Sequence, residues 1–239
     1  MTRIDNRTLD QLREIKITPN FVSCAEASFL IEVGRTRVLC NASIEEDVPR
    51  WLKGSGKGWI TAEYSLLPRS TDSRVRRERK GTSGRTQEIQ RLIGRSLRAV
   101  ANLENMPECS ITLDCDVIEA DGGTRTASIV GAFLALGTAL KKWKSDKGMI
   151  APILRNYVSA TSVGVLDGVP ILDLNYPEDS KAEVDMNVVM ADAKDYIEIQ
   201  GTGEECTYSR KQMNELLDLA EIGCIQLLRL QKEFLTELP

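Results

Sequence analysis

The 239 residues suit one large domain or two small ones, and 42% apolar with 28% charged side chains is the balance of an ordinary globular protein. A net charge of −4 excludes a uniformly basic nucleic-acid binder, so any grip on a polyanion has to come from a local patch. The chain has no histidine, which excludes serine–histidine and cysteine–histidine nucleophiles and cysteine–histidine zinc sites, and leaves acid–base or metal chemistry to carboxylates, lysine, tyrosine or bound water.

The opening residues, MTRIDNRTLDQLREIKI, are charged and lack the apolar core of a signal peptide. Strands are predicted at 28–33, 36–43 and 58–64, with a hairpin turn at Gly34. A polar stretch follows, and then a helix over 87–104, in which Ile89, Leu92, Ile93, Leu97 and Val100 share one face. The segment 110–119 alternates, with Ile111, Leu113, Cys115 and Val117 on one side. The next helix, about 126–143, is apolar all round over 127–140, which is too short for a bilayer and reads as buried. Strands at 156–166, 169–175, 182–191 and 196–201 follow, the first two joined by the hairpin pair Asp167-Gly168. A last helix starts at Ser209, which forms a capping box with Gln212. Its buried stripe is Met213, Leu216, Leu217, Ala220, Cys224 and Leu227. Strand pairs alternate with helices in two halves of similar order, so the fold class is mixed α/β (α+β), in one domain over 1–239. Six scattered cysteines, most of them in apolar runs, read as reduced core thiols of a cytoplasmic protein.

Four constellations carry chemistry. In DGGTRTAS (121–128), Gly122 and Gly123 let the backbone approach a ligand, Thr124, Thr126 and Ser128 offer hydroxyls, and Arg125 brings a fork-shaped charge to a helix start. The stretch SGRT (83–86) repeats the pattern with Gly84, Arg85 and a capping Thr86; if both point into one cleft they make a two-arginine phosphate clamp. The segment from Arg69 to Arg85 sets seven basic side chains, Arg69, Arg74, Arg76 and Arg77 among them, against Asp72 and Glu78, a local charge of +5. It holds no aromatic residue, so it predicts a salt-sensitive grip on a phosphate backbone rather than base stacking. In LDLNYPEDSKAEVDMNVVM (172–190), Asp173 and Asp185 interrupt apolar runs, which is costly unless they are paired or metal-bound. Glu178 and Asp179 fall in the connecting turn, where Glu178 is expected to be solvated. Carboxylates that hold magnesium beside a phosphate clamp are the apparatus of phosphoryl transfer.

Taken with NASIEEDVPRWLKGSGKGWITAEYSLLPRST, GRTQEIQRLIGRSLRA, LDCDVIEADGGTRTASIVGAF and EIQGTGEE, these stretches make nearly the whole chain resemble the bacterial ribonuclease PH family. The resemblance implies two βαβα-like halves, a homohexamer built as a trimer of dimers, and a phosphate-dependent 3′→5′ exoribonuclease trimming transfer RNA precursors and other RNA 3′ ends. Inorganic phosphate would be the co-substrate and Mg²⁺ the cofactor. It implies phosphate binding by Arg85, Gly123, Thr124 and Arg125, extended by Thr126 and Ser128. Magnesium binding and acid catalysis go to Asp179 and Asp185, and transfer RNA contact to Arg69, Arg74 and Arg77. The chain departs from the family pattern at Glu14, at Ser23-Cys24 and at GTGEE. A subunit of an archaeal-type exosome, a silent RNA-binding ring subunit and a hydrolytic nuclease are the alternatives; loss of the site arginines and aspartates would mark the silent subunit, and all four are present.

Overall fold

The computed structural model describes residues 3–148, 150–204 and 206–239. Two sheets organise it. The first has the order β1-β2-β3-β5-β4, from β1 (Ile15–Pro19), β2 (Ala27–Val33), β3 (Thr36–Glu45), β4 (Trp59–Leu66) and β5 (Ser110–Glu119). Only β4 and β5 run parallel, as the crossover through α1 (Gly84–Ala99) requires. The second sheet has the order β7-β6-β8-β9, from β6 (Val158–Leu166), β7 (Val169–Leu172), β8 (Val184–Ala191) and β9 (Asp195–Gly203). All of its pairings are antiparallel: β7 and β8 both pair with β6, and the segment that crosses from β7 to β8 holds the four-residue α3 (Tyr176–Asp179).

The helix α2 (Thr124–Lys147) lies between the sheets, packed on β2, β3 and β5 on one side and β6 on the other. That is why it needs apolar residues all round. The strand β6 is buried at every position because α2 and α4 (Arg210–Phe234) both pack on it. One core cluster runs from Phe29, Ile31 and Phe133 to Val158 and Val189, and so spans both sheets.

Element boundaries differ from the sequence reading for local reasons. The helix α1 begins three residues early because Ser83, not Thr86, is its N-cap. It stops at Ala99 because Ala101 bridges to Leu154 and the Asn102 amide donates to the Ile153 carbonyl. Four residues of KKWKSDK belong to the last turn of α2, where lysines suit the negative helix end, and Gly148 closes it at φ +65°. The strand β7 ends at Leu172 because Asp173 turns the chain out at φ +54°. Both β1, a short edge strand ending in a proline, and α3 lie outside the predicted elements. Among the described residues no helix is long and apolar enough to cross a membrane.

A Cβ on Gly131 of α2 would sit 2.5 Å from Cys40 Sγ and 2.6 Å from Ile31 Cγ1. Gly131→Val is expected to destabilise the fold by about 1–3 kcal/mol through overpacking. At about 2–4 °C per kcal/mol for a chain of this size, a thermal melt should show it.

Candidate active site

A cavity of about 440 Å³ opens where the two sheets meet the starts of α1, α2 and α3. Arg85 from α1 and Arg125 from α2 both line it, together with Gly122, Gly123 and Thr124. Across from them stand Asp179 at the end of α3 and Asp185 on β8. Arg85, the turn Gly122 to Arg125 and the two carboxylates, which lie more than fifty residues beyond either arginine, therefore line one cavity.

The first residues of DGGTRTAS have separate steric reasons. A Cβ on Gly122 would meet the Leu174 carbonyl oxygen at 2.4 Å and the Tyr176 nitrogen at 3.0 Å, so only glycine lets this backbone touch the start of α3. Gly123 is the N-cap of α2 at φ +65°. The carbonyls of the turn are drawn inward: Arg13 Nη1 donates to Asp121 O at 2.5 Å and Thr36 Oγ1 to Gly122 O at 2.7 Å. The amides of Thr124 and Arg125, first in the helix, have no intrahelical partner and stand at the cavity wall with the positive end of the helix behind them. Thr124 Oγ1 is held by the Tyr64 hydroxyl at 2.8 Å. Burial pushes the Tyr64 phenol up despite that bond and the nearby Arg85 and Arg125, so it stays a neutral hydroxyl.

Thr126 and Ser128 do not reach the cavity. Thr126 Oγ1 donates to Gly123 O and Ser128 Oγ to Thr124 O, and Ser128 is fully buried. Helical periodicity turns both hydroxyls back onto the preceding turn. Arg125 Nη1 donates to Gln200 Oε1 at 3.2 Å and lies 3.5 Å from Glu88, which holds the guanidinium in place while its side chain keeps 17% exposure.

Asp179 is positioned by a buried ion network around α3. Asp173 Oδ1 accepts from Arg13 Nη2 at 2.7 Å, and Oδ2 accepts from Arg13 Nε at 3.0 Å and from the Arg13 amide at 2.7 Å. Burial would raise Asp173, but the Arg13 charge and hydrogen bonds outweigh it and hold the carboxyl below the usual range. Glu178 is not solvated as the sequence suggests. It is 1% exposed and takes a bidentate pair from Arg3, at 2.8 and 2.6 Å, while its Oε2 also accepts from the Asn175 amide to close the capping box of α3. Arg7 joins Asp173 to Glu178 at 3.3 and 3.4 Å. Asp179 is the last residue of this locked helix.

Among the described residues the side chain of neither Asp179 nor Asp185 makes a hydrogen bond or ion pair. Burial raises Asp179, against the lowering pull of Arg125 and Arg85. Burial first, and then the Asp179 charge, push Asp185 up to about 6. Two unpartnered, mutually repelling carboxylates fit a divalent cation or a shared proton, and two carboxylates completed by substrate phosphates are a usual magnesium environment. Glu204 also lines the cavity and adds to the repulsion. Sequence reasoning passed over Glu204, Tyr64, Tyr176, Ser162 and Asn187 of the wall. For Tyr176 a signal existed: Asn175 and Glu178 have capping-box spacing around Pro177.

The basic segment leaves the cavity rim, where Thr71, Asp72, Ser73 and Val75 line it. Its foot is tied down by the Val75 amide on Pro68 O and by the Ala120 amide on Ser70 O. Its far end is tied by Glu78, which accepts from the Ser83 amide and from Thr86 Oγ1. Between these points Arg69, Arg74, Arg76 and Arg77 are exposed, and among the described residues none is ion-paired.

Residues 11–141 match the model for domain 1 of the 3′ exoribonuclease family, and residues 156–223 match that for domain 2. A ribonuclease PH of Bacillus cytotoxicus is 52% identical and one of Bacillus cereus 53%, each over 240 aligned positions covering 99% of this chain and 98% of theirs. Rice Rrp46 superposes with a TM-score of 0.78 at 20% identity, covering 96% of this chain and 98% of that one. The Archaeoglobus fulgidus exosome with RNA bound to the active site gives 0.78 at 21%, covering 96% and 92%.

Two outcomes follow. Asp173→Ala strands Arg13 and Arg7 and is expected to cost about 3–5 kcal/mol in chemical denaturation. Asp185, at about 6 in the fold and about 3.9 unfolded, binds its proton more tightly when folded, so stability falls as pH rises between these values. In metal-free buffer Asp185→Asn should therefore gain about 1–3 kcal/mol above pH ~7 and nothing near pH ~4. An equal gain at both pH values would show that ionisation of the buried Asp185 carboxyl is not the cause.

Proposed function

Because the chain belongs to the 3′ exoribonuclease family over both domains of that family, we propose that its two-arginine, two-carboxylate cavity is the phosphorolytic centre. The activity is phosphate-dependent 3′→5′ exoribonucleolysis, that of the ribonuclease PH relatives. The observation that carries the assignment of the centre is the meeting of Arg85, Arg125, Asp179 and Asp185 around one cavity.

In this reading inorganic phosphate sits against Arg125, Arg85 and the first amides of α2, with Thr124 oriented by Tyr64. A phosphate oxygen attacks the phosphorus of the terminal linkage. The bond from that phosphorus to the 3′ oxygen of the penultimate nucleotide breaks, and a nucleoside diphosphate leaves. The departing 3′ oxygen needs a proton. Asp185, with its carboxyl near 6, can hold one close to neutral pH and deliver it. The arginines neutralise charge that gathers on the two phosphates in the transition state. Asp179 and Asp185 are also the residues that would hold Mg²⁺, which when bound screens phosphate charge. Thr126 and Ser128 shape the helix start and touch no phosphate. Because one phosphate linkage replaces another, the reaction runs readily in both directions.

The substrates we assign are transfer RNA precursors and other RNA 3′ ends, gripped by Arg69, Arg74, Arg76 and Arg77. These exposed and unpaired arginines concentrate positive charge on an acidic chain. We assign a homohexamer, a trimer of dimers, in which loops from neighbouring subunits form a shared positive surface. We place the protein in the cytoplasm, in keeping with free thiols at Cys24 and Cys206 that are both exposed.

The deciding assay supplies a transfer RNA carrying a few extra 3′ nucleotides with Mg²⁺, with and without inorganic phosphate. Nucleoside diphosphates should form only when phosphate is present; monophosphates would mean hydrolysis and return the arginines to the RNA backbone. Arg125→Ala should lower phosphorolysis roughly 10²–10³-fold and leave RNA affinity nearly unchanged. An equal fall in affinity would remove Arg125 from the phosphate site.

A further inference from the structure

Tyr176 is 57% exposed, yet it lines the same cavity as Arg125 and Asp185. An aromatic ring left this open on a fixed backbone calls for an occupant. Its backbone is fixed three times over. The capping box closes α3 around it, its amide donates to Asp121 Oδ1 at 3.3 Å, and the Gly122 backbone packs against its nitrogen. The ring is one helical turn from Asp179, so both project to one side of α3. Among the described residues its hydroxyl has no partner, which points to the ring face as the useful part.

We propose that Tyr176 is the platform on which the base of the 3′-terminal nucleotide stacks, an assignment that rests on the phosphorolytic reading above. Stacking on an aromatic ring tolerates every base, because each has a π-face, and an enzyme that removes successive nucleotides needs that tolerance. The other aromatic ring of the wall, Tyr64, is 4% exposed and committed to Thr124. The arginine segment has no aromatic residue with which to compete. The terminal base, on Tyr176, would sit beside the carboxylates, and its 5′ phosphate would fall between them and the arginines.

The test compares wild type, Tyr176→Ala and Tyr176→Phe on RNA oligomers whose 3′-terminal nucleotide is intact or abasic, varying RNA at saturating phosphate and then phosphate at saturating RNA, and follows oligomer shortening. Tyr176→Ala should raise the KM for intact RNA roughly ten-fold, with the KM for phosphate unchanged, and Tyr176→Phe should behave as wild type. Wild type should lose the same factor on abasic-ended RNA, where Tyr176→Ala loses nothing further. The platform is overturned if Tyr176→Ala loses equally on both oligomers, if the loss follows an abasic penultimate position instead, or if it comes with disassembly on gel filtration. Wild type that fails to shorten intact RNA with phosphate overturns the phosphorolytic reading itself, whereas active wild type with a neutral Tyr176→Ala removes only the platform.

Discussion

The bond between Arg13 and Asp173 is the constraint on which the site is built. Asp173 sits at φ +54°, a conformation that an aspartate tolerates better than most residues but not freely. Three hydrogen bonds from Arg13, two of them from its side chain, hold it there. The same guanidinium draws in the carbonyls of Asp121 and Gly122. One buried side chain thus sets the exit of β7, and through it the position of α3, together with the turn before α2. Removing one partner from such a pair leaves an uncompensated buried charge. The geometry on both sides of the cavity therefore stands or falls together.

Burial supplies the second layer of organisation. The helix α2 presents its N-terminus to the cavity and its length to two sheets, so its free amides are backed by a rigid core rather than a loop. The low polarity around it also raises Asp185 and Asp179, which keeps a proton or a cation in demand there. Arginine charge and carboxylate repulsion work against each other across one small volume. An incoming phosphate satisfies the first, and a proton or divalent cation relieves the second.

Much of this was legible in the sequence because the signals are local. The alternation around Ile111 and Leu113, the all-apolar run from Ala127 to Leu140 and the Ser209–Gln212 capping box each declare their element within a few residues. Asp185 stood out because a carboxylate between Val184 and Met186 needs a reason. The misreadings are cases where a residue outside the local pattern decides, whether far along the chain or one turn away. Glu178 looks like a surface acid until Arg3, 175 residues away, is seen against it. Thr86 looks like a cap until Ser83 takes the amide, and Ser128 looks like a ligand until helix geometry turns its hydroxyl inward. Tyr176 looks like a turn residue until the cavity is closed around it.

The long reach of the arginine network has a consequence for how the chain is made. Arg3, Arg7 and Arg13 are synthesised first, and Asp173 and Glu178 only some 160 residues later. At about 5–20 residues per second the arginines wait roughly 8–35 s for their partners. Contacts of such separation are among the slowest to form. A growing chain therefore carries the glycine–arginine turns of both helices well before it has either carboxylate. Until Asp173 is made neither side of the cavity is held, so the site is completed among the last events of folding.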